Sequence, residues 1–369
     1  MSTWTRTTPL VVADGFEEWT STRCPQKSYA VYVRRGKPVD LMSLKQNVLD
    51  DFAAQVAHIS STRLELFSGS HTEAVEACPI CGAASRSNGP AATVYGAEYH
   101  QCQSCSHHFL KSRPRKESLE KFYATDTHYA STYTDPRITE TRVQQVAMPK
   151  AEWMIGEFQR RYGRRPGSVL DVGAGGGHFV YACSRLGMTA NGIELGEANR
   201  AFCMKTFGIE LSADPFAGAQ TPFADVDVVT FWGVLEHVPS PMALLRSARK
   251  TVHPQGLVVA AVPRWNCLST AVQKVFPDSV VRHLDPLGHV SIFTDNSIAT
   301  AFELAGFAPA AAWYFGMDAY ELVMQLSYRL VSSIAPVREV LATCIAPLQA
   351  ALDLAQISDE IALAAVPRS

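Results

Sequence analysis

No run of roughly eighteen uninterrupted apolar residues, the length of a membrane-spanning helix, occurs in this 369-residue chain. The opening stretch, MSTWTRTTPLVVADGFEEW, has no charged segment leading into an apolar one, so it predicts no secretory signal. Neither charge sign dominates: 33 Lys and Arg against 35 Asp and Glu leave a formal charge of −2. A general basic field of the kind that draws in nucleic acid is therefore missing. Also missing are a repeat of solenoid length and a G-x-x-x-x-G-K-[ST] cradle for a triphosphate. Together these absences predict a cytoplasmic protein with no membrane contact, whose nine cysteines stay mostly reduced. With 47% hydrophobic residues the chain buries a large core, and it is longer than one ordinary domain.

Four of the cysteines are patterned. CPICG (Cys78, Cys81) and CQSC (Cys102, Cys105) are two C-x2-C knuckles separated by twenty residues. Four thiolates at that spacing in a reducing compartment predict one tetrahedral zinc site. All four positions are filled by sulfur, so the site is structural rather than catalytic. His100, His107 and His108 flank it without being needed. Cys24, Cys183, Cys203, Cys267 and Cys344 stand alone as ordinary thiols.

Around that module the chain divides into five parts. Residues 1–75 form an extension with an apolar run, SYAVYV, and a helix predicted over 40–59, but with no recognisable chemistry. Residues 76–112 are the zinc module, and 113–150 a tyrosine-rich linker. Residues 151–316 alternate strand, turn and helix: SVLDV, MTANGIEL, VDVVTFW and GLVVAAVP are separated by stretches such as EANRAFCMKTFG and PMALLRSARKTV. This alternation predicts an α/β fold, a Rossmann-like parallel sheet with helices on both faces. Residues 317–369 read as a helical, alanine-rich tail whose apolar stripe packs on the sheet or makes a homodimer.

In an open α/β sheet, ligands bind beyond the carboxyl ends of the strands. The turn there is DVGAGGGHF, with Asp171 ending the strand and Gly173, Gly175 and Gly177 alternating behind it. A dinucleotide fingerprint would run G-x-G-x-x-G and need glycine where His178 stands. Glu194 closes the next strand, where its two oxygens suit two ribose hydroxyls. The pattern indicates a nucleoside and not a pyrophosphate.

Here residues 150–315 resemble the class I S-adenosylmethionine-dependent methyltransferases. VLDVGAGGGHF is similar to their first motif, GIELGEANRAFC to the second, DVVTFWGVLEHVPSP to the fourth strand and HPQGLVVAAVP to the fifth. The resemblance implies S-adenosylmethionine as cofactor. Gly173 and Gly175 would admit its methionine part, with Asp171 and Gly177 completing the turn, and Glu194 would bind the ribose beside Leu195. Asp214 would lie by the adenine amine, or else only turn a loop. Trp232 would line the sulfonium pocket, or else belong to the core.

A sulfonium methyl is already activated, so the protein has to align a nucleophile and remove its proton. LEHV places Glu236 and His237 past the fourth strand, and imidazole is the side chain suited to that transfer at neutral pH. His237 is the expected base, with Glu236 orienting it, against the plain alternative of a histidine that caps the next helix. In GHVSIFTDNSIATAFELAGF, similar to a late segment of these enzymes, His289 is expected to face the pocket. His283 is left open between pocket and surface, and His178 is expected to contribute backbone only.

The zinc module in front of such a domain resembles the zinc-containing sugar C-methyltransferases. That likeness implies that Tyr129 and Tyr133 in YATDTHYASTY line the substrate side, and that Glu236 and His237 take a proton beside a ketone. Those enzymes carry a second α/β domain where this chain has its alanine-rich tail. The expected acceptor is a small molecule, a sugar or natural-product intermediate methylated on carbon or oxygen, and the departure from those enzymes leaves open another small molecule methylated on oxygen or nitrogen. The alternative is a zinc-ribbon RNA or protein methyltransferase, for which LKSRPRKESLEK offers the basic residues.

Overall fold

The computed structural model describes residues 4–7, 13–23, 27–37, 52–67, 71–85, 89–115, 117–118, 134–217, 223–330 and 335–368. Tyr129 and Tyr133 lie outside them. The chain opens with β1 (Trp4–Thr7), β2 (Gly15–Ser21) and β3 (Ser28–Arg35), paired antiparallel in sequence order. SYAVYV lies in β3, where Val31 and Val33 alternate inward as a half-buried strand requires. Helix α1 (Phe52–Phe67) overlaps the helix expected over 40–59 and continues past it; residues 40–51 lie outside the described residues.

Five short strands carry the cysteine module: β4 (Thr72–Ala74), β5 (Ala92–Val94), β6 (Ala97–Gln101), β7 (His108–Leu110) and β8 (Ser112–Pro114). Next come α2 (Met148–Tyr162), β9 (Ser168–Val172), α3 (His178–Arg185), β10 (Thr189–Ile193) and α4 (Glu197–Phe207). They are followed by β11 (Val226–Trp232), α5 (Pro241–Thr251), β12 (Val252–Pro263), α6 (Leu268–Val275) and β13 (Ser291–Ile292). The described chain ends with α7 (Asp295–Leu304), β14 (Phe307–Phe315), α8 (Asp318–Arg329), α9 (Ala335–Leu354) and β15 (Glu360–Pro367).

Nine strands form one sheet in the order β1-β2-β3-β14-β15-β12-β11-β9-β10. Its half from β10 to β12 is parallel, as the strand–helix alternation predicts. Two features differ from expectation. The tail at 317–369 is helical in α8 and α9, but its last part is β15, inserted antiparallel between β12 and β14. EIALAAV is apolar at successive positions, and Ile361 to Leu363 are fully buried; such a run fits a strand covered on both faces better than one stripe of a helix. The extension at 1–75 is not separate either, because β3 pairs parallel with β14 and carries the sheet outward.

Side chains alternate between two cores. Leu170, Val172, Val229, Phe231, Val258 and Ala260 face α5 and α7. Val169, Val228, Val259 and Ala261 face Trp153, Met154 and Phe158 of α2 and Phe179 of α3. The cysteine module joins the first core through Phe109, and its own sheet, β5-β6-β7-β13, takes its last strand from the later part of the chain. Along one edge of the molecule the ends of β9, β11, β12, β14 and β3 stand in a row, with the start of the antiparallel β15 among them.

Candidate active site

A cavity of about 1940 Å³ runs along that row of strand ends. At one end lies the glycine turn. Gly173 has φ +77°, and a Cβ there would stand 2.6 Å from Val234 Cγ2, so only glycine lets the turn close against the loop after β11. At Gly177, also left-handed, a Cβ would sit 2.1 Å from Cys203 Sγ. The Gly173 and Ala174 amides both donate to the Ile193 carbonyl, at 2.8 and 3.0 Å, which ties the turn to the end of β10.

Glu194 crosses the two turns. Its Oε2 accepts from the Gly175 amide at 2.8 Å and its Oε1 from the Gly196 amide at 2.7 Å. A carboxylate has about four acceptor sites, so the fixed oxygens keep lone pairs for further hydroxyl donors. Leu195 beside it is 67% exposed. Asp171 is buried at the end of β9 and accepts from Thr230 Oγ1 at 2.7 Å. Burial pushes its pKa up to about 7, against the lowering effect of that hydrogen bond. Asp214 is exposed and turned onto its own neighbour, Ser212, whose Oγ donates at 3.2 Å. Neither Asp214 nor Leu195 nor Gly177 is among the described residues that line the cavity, whereas Asp171, Gly173, Gly175, Glu194 and Trp232 are. Trp232 ends β11 with its Nε1 buried and unpartnered, its ring edge-on to Trp153. The His178 side chain packs between Phe202 and Phe207.

Past β11 the chain brings Glu236, His237 and His289 together. His237 Nδ1 lies 2.6 Å from the Gly288 carbonyl. A carbonyl only accepts, so Nδ1 carries the proton and Nε2 keeps its lone pair. His289 repeats the device, with Nδ1 donating to the His283 carbonyl at 2.6 Å, and burial pushes its pKa well down, so it stays neutral. The two rings are 5.0 Å apart. Glu236 Oε1 lies 3.6 Å from His237 Nε2, and its Oε2 is buried without a partner. Burial raises the Glu236 pKa to about 7. A carboxylate oxygen of Glu236 and one ring nitrogen of each histidine lie within 4.8 Å of one another, a spacing that also suits three ligands of one cation. His283 is fully buried and bonded to Thr270 Oγ1 at 2.9 Å, which removes it from the surface and from the pocket.

In the module, Cys78 Sγ lies 3.6 Å from Cys105 Sγ and Cys81 Sγ 3.5 Å from Cys102 Sγ. All four sulfurs fall within 4.8 Å. A tetrahedral zinc with bonds of ~2.3 Å places its sulfurs roughly 3.8 Å apart, so the cluster fits that ion. The three nearby histidines are turned elsewhere: His100 to Glu98, His107 to Ser291, and His108 flat on Trp265 at 3.8 Å.

Four residues at the cavity had no signal in the sequence. Arg63 of α1 holds Asp285 through two bonds, Nε to Oδ1 at 3.0 Å and Nη2 to Oδ2 at 2.9 Å. Lys37 and Lys150 reach the cavity from β3 and α2, far apart in the chain. Only an amphipathic reading of α2 bears on Lys150, which lies at the edge of its apolar stripe.

Residues 152–312 match the sequence model of a family described as a methyltransferase domain. Among curated relatives, the ubiquinone biosynthesis O-methyltransferase of Caulobacter sp. (strain K31) is 30% identical over 151 residues, 37% of this chain and 59% of that protein. Its counterpart from Bordetella avium (strain 197N) is 28% identical over 212 residues, 54% of this chain and 85% of that one. The chain spans about half the length of several curated relatives that it matches, 50% and 53% in two further cases. Among solved structures, the Burkholderia thailandensis 1,6-didemethyltoxoflavin-N1-methyltransferase with bound 1,6-didemethyltoxoflavin and S-adenosylhomocysteine shares 16% identity. Its TM-score is 0.43, over 74% of this chain and 100% of that one. The glycine turn, Glu194, Glu236, His237 and His289 all fall inside residues 152–312, the segment that matches the methyltransferase-domain model.

Proposed function

We propose that the protein transfers the methyl group of S-adenosylmethionine to a small-molecule acceptor, a sugar or natural-product intermediate, at an oxygen or an acidic carbon. The observation that carries this is the joining of the two turns by Glu194, whose oxygens are fixed by two backbone amides and left with lone pairs over the cavity. Gly173 and Gly175 supply the bare backbone against which the methionine part rests, and Trp232 walls the sulfonium end. The acceptor's nucleophilic atom approaches in line with the S–CH3 bond. His237 Nε2 takes its proton, Glu236 steadies the imidazolium, and neutral His289 Nε2 accepts from the acceptor's hydroxyl. Methylated acceptor and S-adenosylhomocysteine leave, and the proton passes to solvent. Tyr129 and Tyr133 belong to the acceptor side of this reading. The test is Glu194→Ala. S-adenosylhomocysteine affinity, measured by calorimetry, is expected to fall at least about tenfold, as when a charged hydrogen-bond acceptor is lost. Unchanged affinity in a folded variant contradicts the ribose assignment.

A second reading has the Glu236, His237 and His289 cluster behind it. A divalent cation held there would lower the pKa of an acceptor hydroxyl and make a base unnecessary. Mild chelation that leaves the cysteine-bound zinc in place, followed by metal add-back, separates the two: the base reading expects activity to survive it, the cation reading expects loss and recovery. An RNA or protein acceptor is less well supported, because Arg113 is paired with Glu73 and Arg115 donates to the Thr72 carbonyl.

We also assign one structural zinc to Cys78, Cys81, Cys102 and Cys105, in a cytoplasmic setting that keeps them reduced. Elemental analysis is expected to find one zinc per chain. Cys78→Ser should release it and loosen the module, and with it β13, which follows His289 by one residue. A folded wild type with no metal overturns the assignment.

A further inference from the structure

The cavity continues past the methyl-transfer groups, along the ends of β12, β15, β14 and β3. We propose that its far end, between Lys37 and Lys150, binds an oxyanion of the acceptor, a carboxylate or a phosphate. The inference rests on the methyltransferase reading for what the anion is attached to, and on the residues themselves for the site.

Backbone pairing builds this end. The Gly36 amide donates to the Tyr314 carbonyl at 2.8 Å, which sets Lys37 just past the end of β3 beside Phe315. Glu360, the first residue of β15, stands opposite Phe315 on one side and Pro263 on the other. Lys150, from α2, holds its Nζ 4.6 Å from the centre of the Trp232 ring, and Lys37 Nζ lies 5.1 Å from that of Phe315. Each ammonium is thus backed by an aromatic face at the cavity wall.

The charges there do not balance. Several other cations lining the cavity have anions of their own: Arg35 has Glu17, Arg63 has Asp285, Arg282 has Glu321 and Asp359, and Arg137 has Asp135. Neither lysine forms a salt bridge with a described residue. Glu360 is the carboxylate whose field acts on both, and Arg142 adds a further positive charge. Asp171 and Glu236 act on Lys150 as well, but Lys37 has the field of Glu360 alone set against those of Lys150 and Arg142, in a partly desolvated place, an arrangement that an incoming anion relieves. Burial and the charge of Lys150 push the Lys37 pKa down to about 7, the direction expected of a cation short of counter-charge. Lys37, Lys150, Trp232 and His237 all line this one cavity. An acceptor seated with its anion on Lys37 and Lys150 extends within the same cavity toward the base.

The test titrates the whole protein with inorganic phosphate and with benzoate, by calorimetry, each with and without S-adenosylhomocysteine. At least one anion is expected to bind. Lys37→Met and Lys150→Met should each weaken it about tenfold or more, the effect of losing a charged hydrogen-bond donor. Lys150→Arg, which keeps the charge, should retain most of the affinity. Tighter phosphate points to a phosphoester acceptor, tighter benzoate to a carboxylic acid. Binding of neither probe, or binding equal in wild type and both methionine variants, overturns the site. S-adenosylhomocysteine bound without either anion leaves the methyltransferase reading standing and removes this proposal, whereas anions bound without S-adenosylhomocysteine do the reverse.

Discussion

His237→Ala lowers the rate of methyl transfer at least ~100-fold, the size expected for a positioned general base, and leaves S-adenosylhomocysteine affinity close to wild type. The two effects separate because the residues involved do. In the proposed reading the cofactor contacts belong to the glycine turn and Glu194, whereas His237 is held by the Gly288 carbonyl on its Nδ1. On the proposed mechanism that bond leaves Nε2 to accept the proton, and Glu236 Oε1, 3.6 Å away, would stabilise the charge once it has arrived. Alignment of acceptor and methyl survives the substitution, so part of the ~7–11 kcal/mol that positioning contributes remains. Glu236→Gln is expected to cost less, since it removes the stabilising charge but not the base. Rate and affinity are read separately, from single-turnover transfer of labelled methyl and from calorimetry. A His237→Ala enzyme with unchanged turnover removes the base assignment.

Arg63→Met is the second large effect, and it falls on both stability and turnover. Arg63 and Asp285 are nearly inaccessible and joined by two bonds. Removing one partner strands a buried carboxylate, which costs about 3–5 kcal/mol in comparable pairs. Asp285 also begins the segment whose Gly288 carbonyl orients His237, and its own carbonyl receives the His289 amide at 2.8 Å. The variant should unfold at lower urea and transfer methyl more slowly, with S-adenosylhomocysteine affinity kept. Adding Asp285→Asn should recover part of the stability, because the stranded charge is then gone. Loss of cofactor affinity equal to the loss of rate would show a general collapse rather than displacement of the histidines.

Local chemistry was legible in the sequence where one short segment carries it. DVGAGGGHF forms its turn because Gly173 and Gly177 have no room for a side chain, and the cysteine knuckles meet because each presents two sulfurs from one turn. The alternating core was legible too, since Val169, Leu170 and Val172 follow the period of a strand. What stayed hidden is long-range. Nothing in EIALAAV says that the last strand enters the sheet antiparallel between β12 and β14, and its alanines read as readily as helix. Nor does SYAVYV announce that it will pair with β14 and bring Lys37 to the cavity. Arg63 and Asp285 are 222 residues apart, beyond the reach of any spacing argument.

The most direct measurement is a calorimetric titration of the purified wild-type chain with S-adenosylhomocysteine, the thioether left after methyl transfer, checked by a crystal of the same complex. The account expects one ligand per chain, its ribose on Glu194 and its amino-acid end over Gly173 and Gly175. Heat indistinguishable from dilution, or a different nucleotide preferred in that crevice, contradicts it.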